Sequence, residues 1–211
     1  MIAVTQVLQA LHRTYPKKKR YLTVTTPYQL LVSTILSAQV RDEMVNAITP
    51  AFFDKFPTVT ACARARVSTI QEVIKSISYP HMKAKRIKGA CQKIVREYGG
   101  IVPQTVQELM LLPGVGEKTA HAILQHAFGK VTGIVVDTHV LRVSFRLGWT
   151  SSPTNAKKTQ HELRDILPKK EWACFTGLCK QHGRALCTRV PTCSNCPVVS
   201  WCKRRGVKKS K

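Results

Sequence analysis

The stretch 112-LPGVGEKTAHAIL-124 stops the chain and restarts it within a few residues. Upstream, 105–111 reads as a short helix, with Thr105 and Glu108 at capping-box spacing. Pro113 opposes its continuation, because the proline ring and missing N–H do not fit a helix interior. Gly114 and Gly116 allow positive φ or close backbone approach around Val115. A second helix is read over 117–128 and ends at Gly129, a good C-cap residue. The unit is therefore helix, glycine turn, helix, over about 105–128. Its amides at a helix N-terminus suit an anion such as a phosphate. The plainer reading is an ordinary helical hairpin.

Lys118 adds a chemical question, because it falls in the first turn of the second helix. The helix dipole disfavours a cation there, which favours the neutral amine that a nucleophile needs. A solvated phosphate contact is the alternative role. The segment 135-VVDTHVLRV-143 supplies Asp137 after a β-branched approach and before another helix. A carboxylate there can move protons or stabilise a developing positive charge. Its simpler role is an N-cap.

Composition narrows what the chain meets. Its 211 residues carry a formal net charge of +23, from 34 Lys and Arg against 11 Asp and Glu. Such self-repulsion is normally offset by a polyanion, and nucleic acid is the first candidate. An anionic membrane surface ranks below it. The N-terminal run lacks the pattern of a signal peptide. Residues 21–40 hold no charge but too much Thr, Ser, Gln and Pro for a spanning helix. That stretch reads as a core helix with Leu30, Leu31, Thr34, Ile35 and Ala38 along one face. The chain is expected to be cytoplasmic and nucleoid-associated, a monomer with no membrane partner. The run 82-MKAKRIKGACQKIVR-96 holds six Lys and Arg and no acid. Read as phosphate contacts, these cations predict that log affinity falls with log salt by about 0.9 per contact. The tail 203-KRRGVKKSK-211 reads as mobile and solvated.

The eight cysteines divide into two groups. Cys62, Cys91, Cys174 and Cys179 lie among apolar neighbours and read as small core residues. Cys187, Cys193, Cys196 and Cys202 follow C-x5-C-x2-C-x5-C within 16 residues. Four thiolates that close make a metal site. Zinc ribbons present two C-x2-C knuckles, and here there is one. The outer cysteines, each five residues from that pair, favour a loop around a larger [4Fe–4S] core only modestly. Helical spacing recurs over 2–14, 27–38, 42–54, 67–76, 83–98, 138–147, 155–166 and 170–182. No alternating pair of runs marks a hairpin of strands, and 131–136 reads as a buried connector.

Taken together, 36-LSAQVRDEMVN-46, 112-LPGVGEKTAHAILQHAFG-129, 135-VVDTHVLRV-143 and the four-cysteine loop resemble the endonuclease III family. This is part of the helix-hairpin-helix, Gly/Pro…Asp superfamily of base-excision DNA glycosylases. The resemblance covers nearly the whole chain in the family's motif order. It implies an all-α fold of two lobes with DNA in the cleft between them. A six-helix barrel carrying the hairpin would span 21–131. A discontinuous lobe of 1–20 and 132–211 would hold a [4Fe–4S] cluster in the loop 187–202. The resemblance makes Lys118 the nucleophile and Asp137 the catalytic carboxylate, with Cys187, Cys193, Cys196 and Cys202 as cluster ligands. It assigns DNA contact to Gln39, which enters the base stack, and to Leu112, Gly114, Val115, Gly116 and Thr119 of the hairpin.

The implied activity is a bifunctional DNA glycosylase and AP lyase, acting on double-stranded DNA with oxidised pyrimidines or abasic sites. Lys118 separates this from monofunctional relatives, which typically lack that lysine. Retention of both Lys118 and Asp137 separates it from a non-catalytic DNA-binding protein. Two departures from the family pattern stand out. The first two cluster cysteines have five residues between them where the family commonly has six. In 76-SISYPHMKAKR-86, Ser78, Tyr79 and Pro80 replace a Gly-Leu-Tyr run whose leucine wedges into the stack. Either Tyr79, read as a DNA contact, stacks as an aromatic wedge in its place, or wedging falls to another residue.

Overall fold

A computed structural model of the chain describes residues 2–16 and 22–211. The boundary drawn at residues 20 and 21 lies outside the described residues. Among those described, every regular element is a helix and none is a strand. The chain divides into two compact units, Arg20–Thr132 and Met1–Lys19 with Gly133–Lys211.

The Arg20–Thr132 unit holds α2 (Pro27–Leu36), α3 (Asp42–Lys55), α4 (Val59–Arg64), α5 (Val67–Val73), α6 (Pro80–Tyr98), α7 (Val106–Met110) and α8 (Glu117–Phe128). Thr26 and Gln29 close a capping box at the start of α2, and Pro27 follows at the first helical position. The apolar face of α2 buries Leu31, Val32, Ile35 and Leu36 against Ala120, Ile123 and Leu124 of α8 and against α6. α2 is shorter than the sequence suggested. It ends at Leu36, so Ala38 lies outside it and is exposed. α4 falls in a stretch the sequence left unassigned; Thr58 caps it, accepting from the Ala61 amide at 3.1 Å. α6 starts earlier than expected, at Pro80, whose fixed φ suits a first turn.

The other unit holds α1 (Ile2–Thr14), α9 (Thr138–Leu147), α10 (Ala156–Ile166) and α11 (Trp172–Ala185), the last preceded by a 3₁₀ turn at Lys169–Glu171. Val7, Leu11, Val140, Val143, Leu163, Phe175 and Leu178 fill its core. The β-branched 134–136 segment is a buried connector. Its carbonyls go to side chains, with Gln160 Nε2 donating to Ile134 O at 3.0 Å and Thr176 Oγ1 to Val135 O at 2.7 Å. Two buried carbonyls thus find donors without a sheet. Cys62, Cys91 and Cys179 are buried, as read, whereas Cys174 is half-buried. Cys174 Sγ lies 3.2 Å from Glu171 Oε2, and the same oxygen bonds His12 Nε2 at 2.8 Å, which clasps α1 to the start of α11.

The basic tail is exposed, as read, but it is tied down. The Lys211 amide donates to Pro191 O at 2.9 Å, and Lys211 O accepts from the Ser194 amide at 3.1 Å. Arg205 donates from its amide to Arg146 O and from Nη1 to Thr150 O, at 3.3 and 3.2 Å. Its guanidinium lies over the Phe145 ring, 5.4 Å from the centroid. Backbone bonds and a cation–π contact therefore outweigh the mutual repulsion that the charge count emphasised.

Candidate functional site: a glycine turn, a wedge loop and a four-cysteine pocket

The glycine turn forms as its residues dictate. Thr105 Oγ1 accepts from the Glu108 amide at 3.2 Å, α7 ends at Met110, and the Val115 amide donates back to Leu112 O at 3.1 Å. Gly114 has φ +86, a conformation that favours glycine. A Cβ there would press on the Arg86 side chain at 3.2 Å, and one at Gly89 would press on Pro113 at 3.2 Å. The turn is thus seated on α6 by two close approaches. Gly116 is different: its φ is −96 and nothing lies within 4 Å of a Cβ there. As the N-cap of α8 it offers no side chain to the first-turn amides, which stand open to an external anion. Lys118 is exposed in that first turn, and Thr119 is half-buried beside it. Leu112 and Val115 are buried, so they support the turn from within and do not present the outward contact expected of them.

Gln39 and Tyr79, assigned to DNA from distant parts of the sequence, belong to one arrangement. Both have positive φ, +58 and +57, and both are exposed. Ser78 Oγ donates to Gln39 O at 3.3 Å and links the two loops. Beneath them Lys83, 2% exposed, donates from Nζ to Leu36 O at 2.9 Å and Ala38 O at 2.8 Å. Burial lowers the Lys83 pKa, and Arg86 adds to the shift. Lys83 therefore departs from the expectation that the whole 82–96 run faces phosphates. Lys93 and Arg96 also turn to a partner, pairing with Glu97 at 3.0 and 2.5 Å.

Asp137 caps α9. Its Oδ1 accepts from the amides of His139 at 2.9 Å and Val140 at 2.8 Å. None of the described bonds engages Oδ2. The simpler N-cap role and a chemical role thus fall on different oxygens of one carboxylate. Lys118 stands in one unit and Asp137 in the other.

Cys187, Cys193, Cys196 and Cys202 line one pocket with Arg146, His182 and Val198, enclosing about 410 Å³ with its open mouth included. Tight turns shape the loop: the Cys196 amide donates to Cys193 O and the Cys202 amide to Val199 O, both at 3.2 Å. Burial raises the Cys196 and Cys202 thiols above their ordinary range, and the charges of the neighbouring cysteines add to it. A bound cation lets clustered thiols ionise together. The donor set, four cysteines gathered in one pocket, fits a thiolate-bound metal centre.

Two arginines around this pocket were missed in the sequence. Arg146 Nη1 donates to Cys187 Sγ at 3.2 Å and Thr188 O at 2.6 Å, and Nη2 donates to Arg189 O at 3.1 Å. Arg142 donates to Cys187 O at 2.8 Å and Gly183 O at 3.0 Å. Their signal was the i, i+4 spacing on the helix after Asp137, which places both on one face. His182, pushed down to about 4 by burial with Arg142 adding, stands 3.8 Å from Cys196 Sγ and 3.1 Å from the Tyr15 hydroxyl.

No helix among the described residues is long and apolar enough to cross a membrane. The sequence profile of the HhH-GPD superfamily base excision DNA repair proteins matches residues 32–169. The endonuclease III of Synechocystis sp. is 45% identical, covering 94% of this chain and 90% of its own. That of Bacillus subtilis is 38% identical over 93% and 90%. A solved trapped endonuclease III–DNA covalent intermediate superposes with a TM-score of 0.89 at 34% identity, covering 95% of this chain and 94% of the other. With its glycine turn, all-helical fold and four-cysteine pocket, the chain belongs to the endonuclease III family of HhH-GPD base excision DNA repair proteins.

Proposed function

We propose that this chain is a bifunctional DNA glycosylase and AP lyase, which removes oxidised pyrimidines from duplex DNA and cuts 3′ to the resulting abasic site. The observation that carries the reading is Lys118, exposed in the first turn after the glycine turn, beside amides that no side chain caps. The covalent endonuclease III–DNA intermediate among its structural relatives supports a covalent route. Extruding the base costs a few kcal/mol, least for a poorly stacked lesion. In this reading the Lys118 amine attacks the sugar C1′ and the bond to the base breaks, the base leaving with a proton. The C1′–O4′ bond then opens to a Schiff base. Loss of a C2′ proton expels the 3′ phosphate by β-elimination. Asp137 stabilises positive charge on the sugar through its uncommitted oxygen and helps move these protons.

The Arg20–Thr132 unit is assigned as the helical barrel domain and the other as the cluster domain. Cys187, Cys193, Cys196 and Cys202 would hold a [4Fe–4S] cluster, which supplies a structural or redox-sensing core and no atom to the base-excision steps. Gln39 and Tyr79 are the residues assigned to fill the stack, and the hairpin amides meet a phosphate. Borohydride trapping on a duplex containing one thymine glycol tests the reading, with Lys118→Ala beside the wild type. The expected result is a covalent band that requires Lys118. If folded protein gives no band on this duplex or an abasic one, the lyase is excluded; release of free base would then mark a monofunctional glycosylase.

A further inference from the structure

Lys83 presents an energetic puzzle. A buried ammonium costs several kcal/mol unless it is well satisfied, and an apolar side chain would fill the same space without that cost. Its acceptors explain what it does. Leu36 O closes α2, where carbonyls lack helical partners and the dipole favours a cation, and Ala38 O lies in the turn just beyond. Ala38 immediately precedes Gln39. On its own helix, the Lys83 amide donates to Tyr79 O at 3.1 Å. One residue thus touches the backbone beside both assigned stack-filling residues. Among the described residues only Gln39, Tyr79 and Arg204 combine a side chain with positive φ, a conformation costing roughly 1–2 kcal/mol that the surroundings must hold in place.

The same helix also seats the glycine turn. Arg86, one turn along from Lys83, lies against Gly114, and Gly89 lies against Pro113. α6 therefore fixes the wedge loops at one end and the phosphate-binding turn a few residues further on.

We propose that Lys83 is a positioning residue which locks Gln39 and Tyr79 into a single stack-opening device set at a fixed distance from the glycine turn. The inference rests on the assignment of Gln39 and Tyr79 as the residues that enter the stack. It extends that assignment from two separate side chains to one mechanical unit, in which Tyr79 occupies the position where the family's leucine is absent.

The test uses cluster-loaded, full-length protein and a duplex with 2-aminopurine next to a tetrahydrofuran abasic analogue, whose fluorescence rises when the stack opens. Lys83→Met should lose most of that rise at saturating protein and process thymine glycol duplex roughly 10- to 100-fold more slowly. Schiff-base trapping on single-stranded abasic DNA, which has no stack to fill, should stay within about twofold of wild type because Lys118 is untouched. Ser78→Ala removes only the exposed bond between the loops and should show a smaller loss of the same fluorescence, which covers the case that Lys83→Met does not fold. Gln39→Ala and Tyr79→Ala serve as controls. If they lose the signal while Lys83→Met and Ser78→Ala keep it, the positioning role is overturned and the wedge assignment stands. If the controls themselves keep it, the wedge assignment fails and this inference fails with it.

Discussion

α6 and α9 are both basic helices, and each seats the loop that its unit puts to use, but by different means. On α6 the glycine turn is held sterically: Gly114 and Gly89 remove side chains so that the turn can lie against Arg86 and the helix. On α9 the cysteine loop is held by polar bonds, with Arg142 and Arg146 reaching three of its carbonyls and one sulfur, and Arg142 also the Gly183 carbonyl of α11. The contrast follows from what each loop must present. The glycine turn offers free amides outward, so its own backbone has few inward acceptors to satisfy. The cysteine loop turns its sulfurs inward and leaves carbonyls with no regular partner, and a guanidinium fork serves several of those at once. Close packing demands small residues; orphan carbonyls demand donors.

The largest effect should come from breaking the polar seat. Arg146→Leu removes a donor from two part-buried carbonyls and from the buried Cys187 Sγ, and a buried acceptor left unpaired costs about 1–3 kcal/mol. We expect loss of most bound iron and of visible absorbance on purification, with a Tm drop that exceeds that of Arg142→Leu. Arg146→Lys should rescue only part, because an ammonium cannot reproduce the fork. Iron content and Tm equal to wild type in Arg146→Leu would show that the loop holds itself.

The steric seat makes a finer comparison, between two glycines only two residues apart. Gly114→Ala meets both a positive φ and the Arg86 side chain, and should cost about 1–2 kcal/mol. Gly116→Ala meets neither, so thermal stability should be unchanged or slightly higher. Its methyl would nevertheless stand over the open amides of α8, and binding to abasic-analogue duplex should weaken without any change in Tm. Equal Tm losses in the two variants would refute the distinction. Unchanged binding in Gly116→Ala would place the phosphate elsewhere.

Much of this was legible beforehand, and the failures have a common cause. The glycine turn could be read because proline, two glycines and a capping pair each impose a local conformation. α4 could not, since six residues give less than two turns of periodicity and only the Thr58 cap marks it. Lys83 and Lys85 look alike in a basic run, yet one is buried and the other exposed. What separates them is the end of α2 with the turn just beyond, 45 or more residues away in sequence, which supplies two carbonyls to whichever lysine faces it. Arg142 and Arg146 escaped for the same reason: surplus positive charge suggests a polyanionic partner, while the acceptors these two serve belong to their own chain. Asp137 is the intermediate case, because the cap was predictable from position and the uncommitted oxygen was not.

The smallest effect probes how tightly the α9 seat is packed. His139 lies on α9 beside Arg142 and against Gly183, where a Cβ would come within 2.5 Å of the imidazole. Burial, first among the causes, holds its pKa below the ordinary 6.5; Asp137 opposes the shift, and Arg142, Arg184 and Lys180 add to it. The sign follows directly. Below its unfolded pKa the unfolded chain binds a proton that the folded chain resists, so the stabilising difference is complete above that value and is lost as pH falls beneath it. His182 shares the direction, so the wild type loses stability on acidification from two sources. His139→Gln should remove one of them, leaving a shallower fall in the denaturation midpoint between about pH 7.5 and about pH 5.5. At the upper pH its stability should lie close to wild type, since the residue it replaces is neutral there. A slope identical to wild type would mean that His139 opens to solvent before it titrates, and the seat on α9 would then depend on the arginine bonds alone.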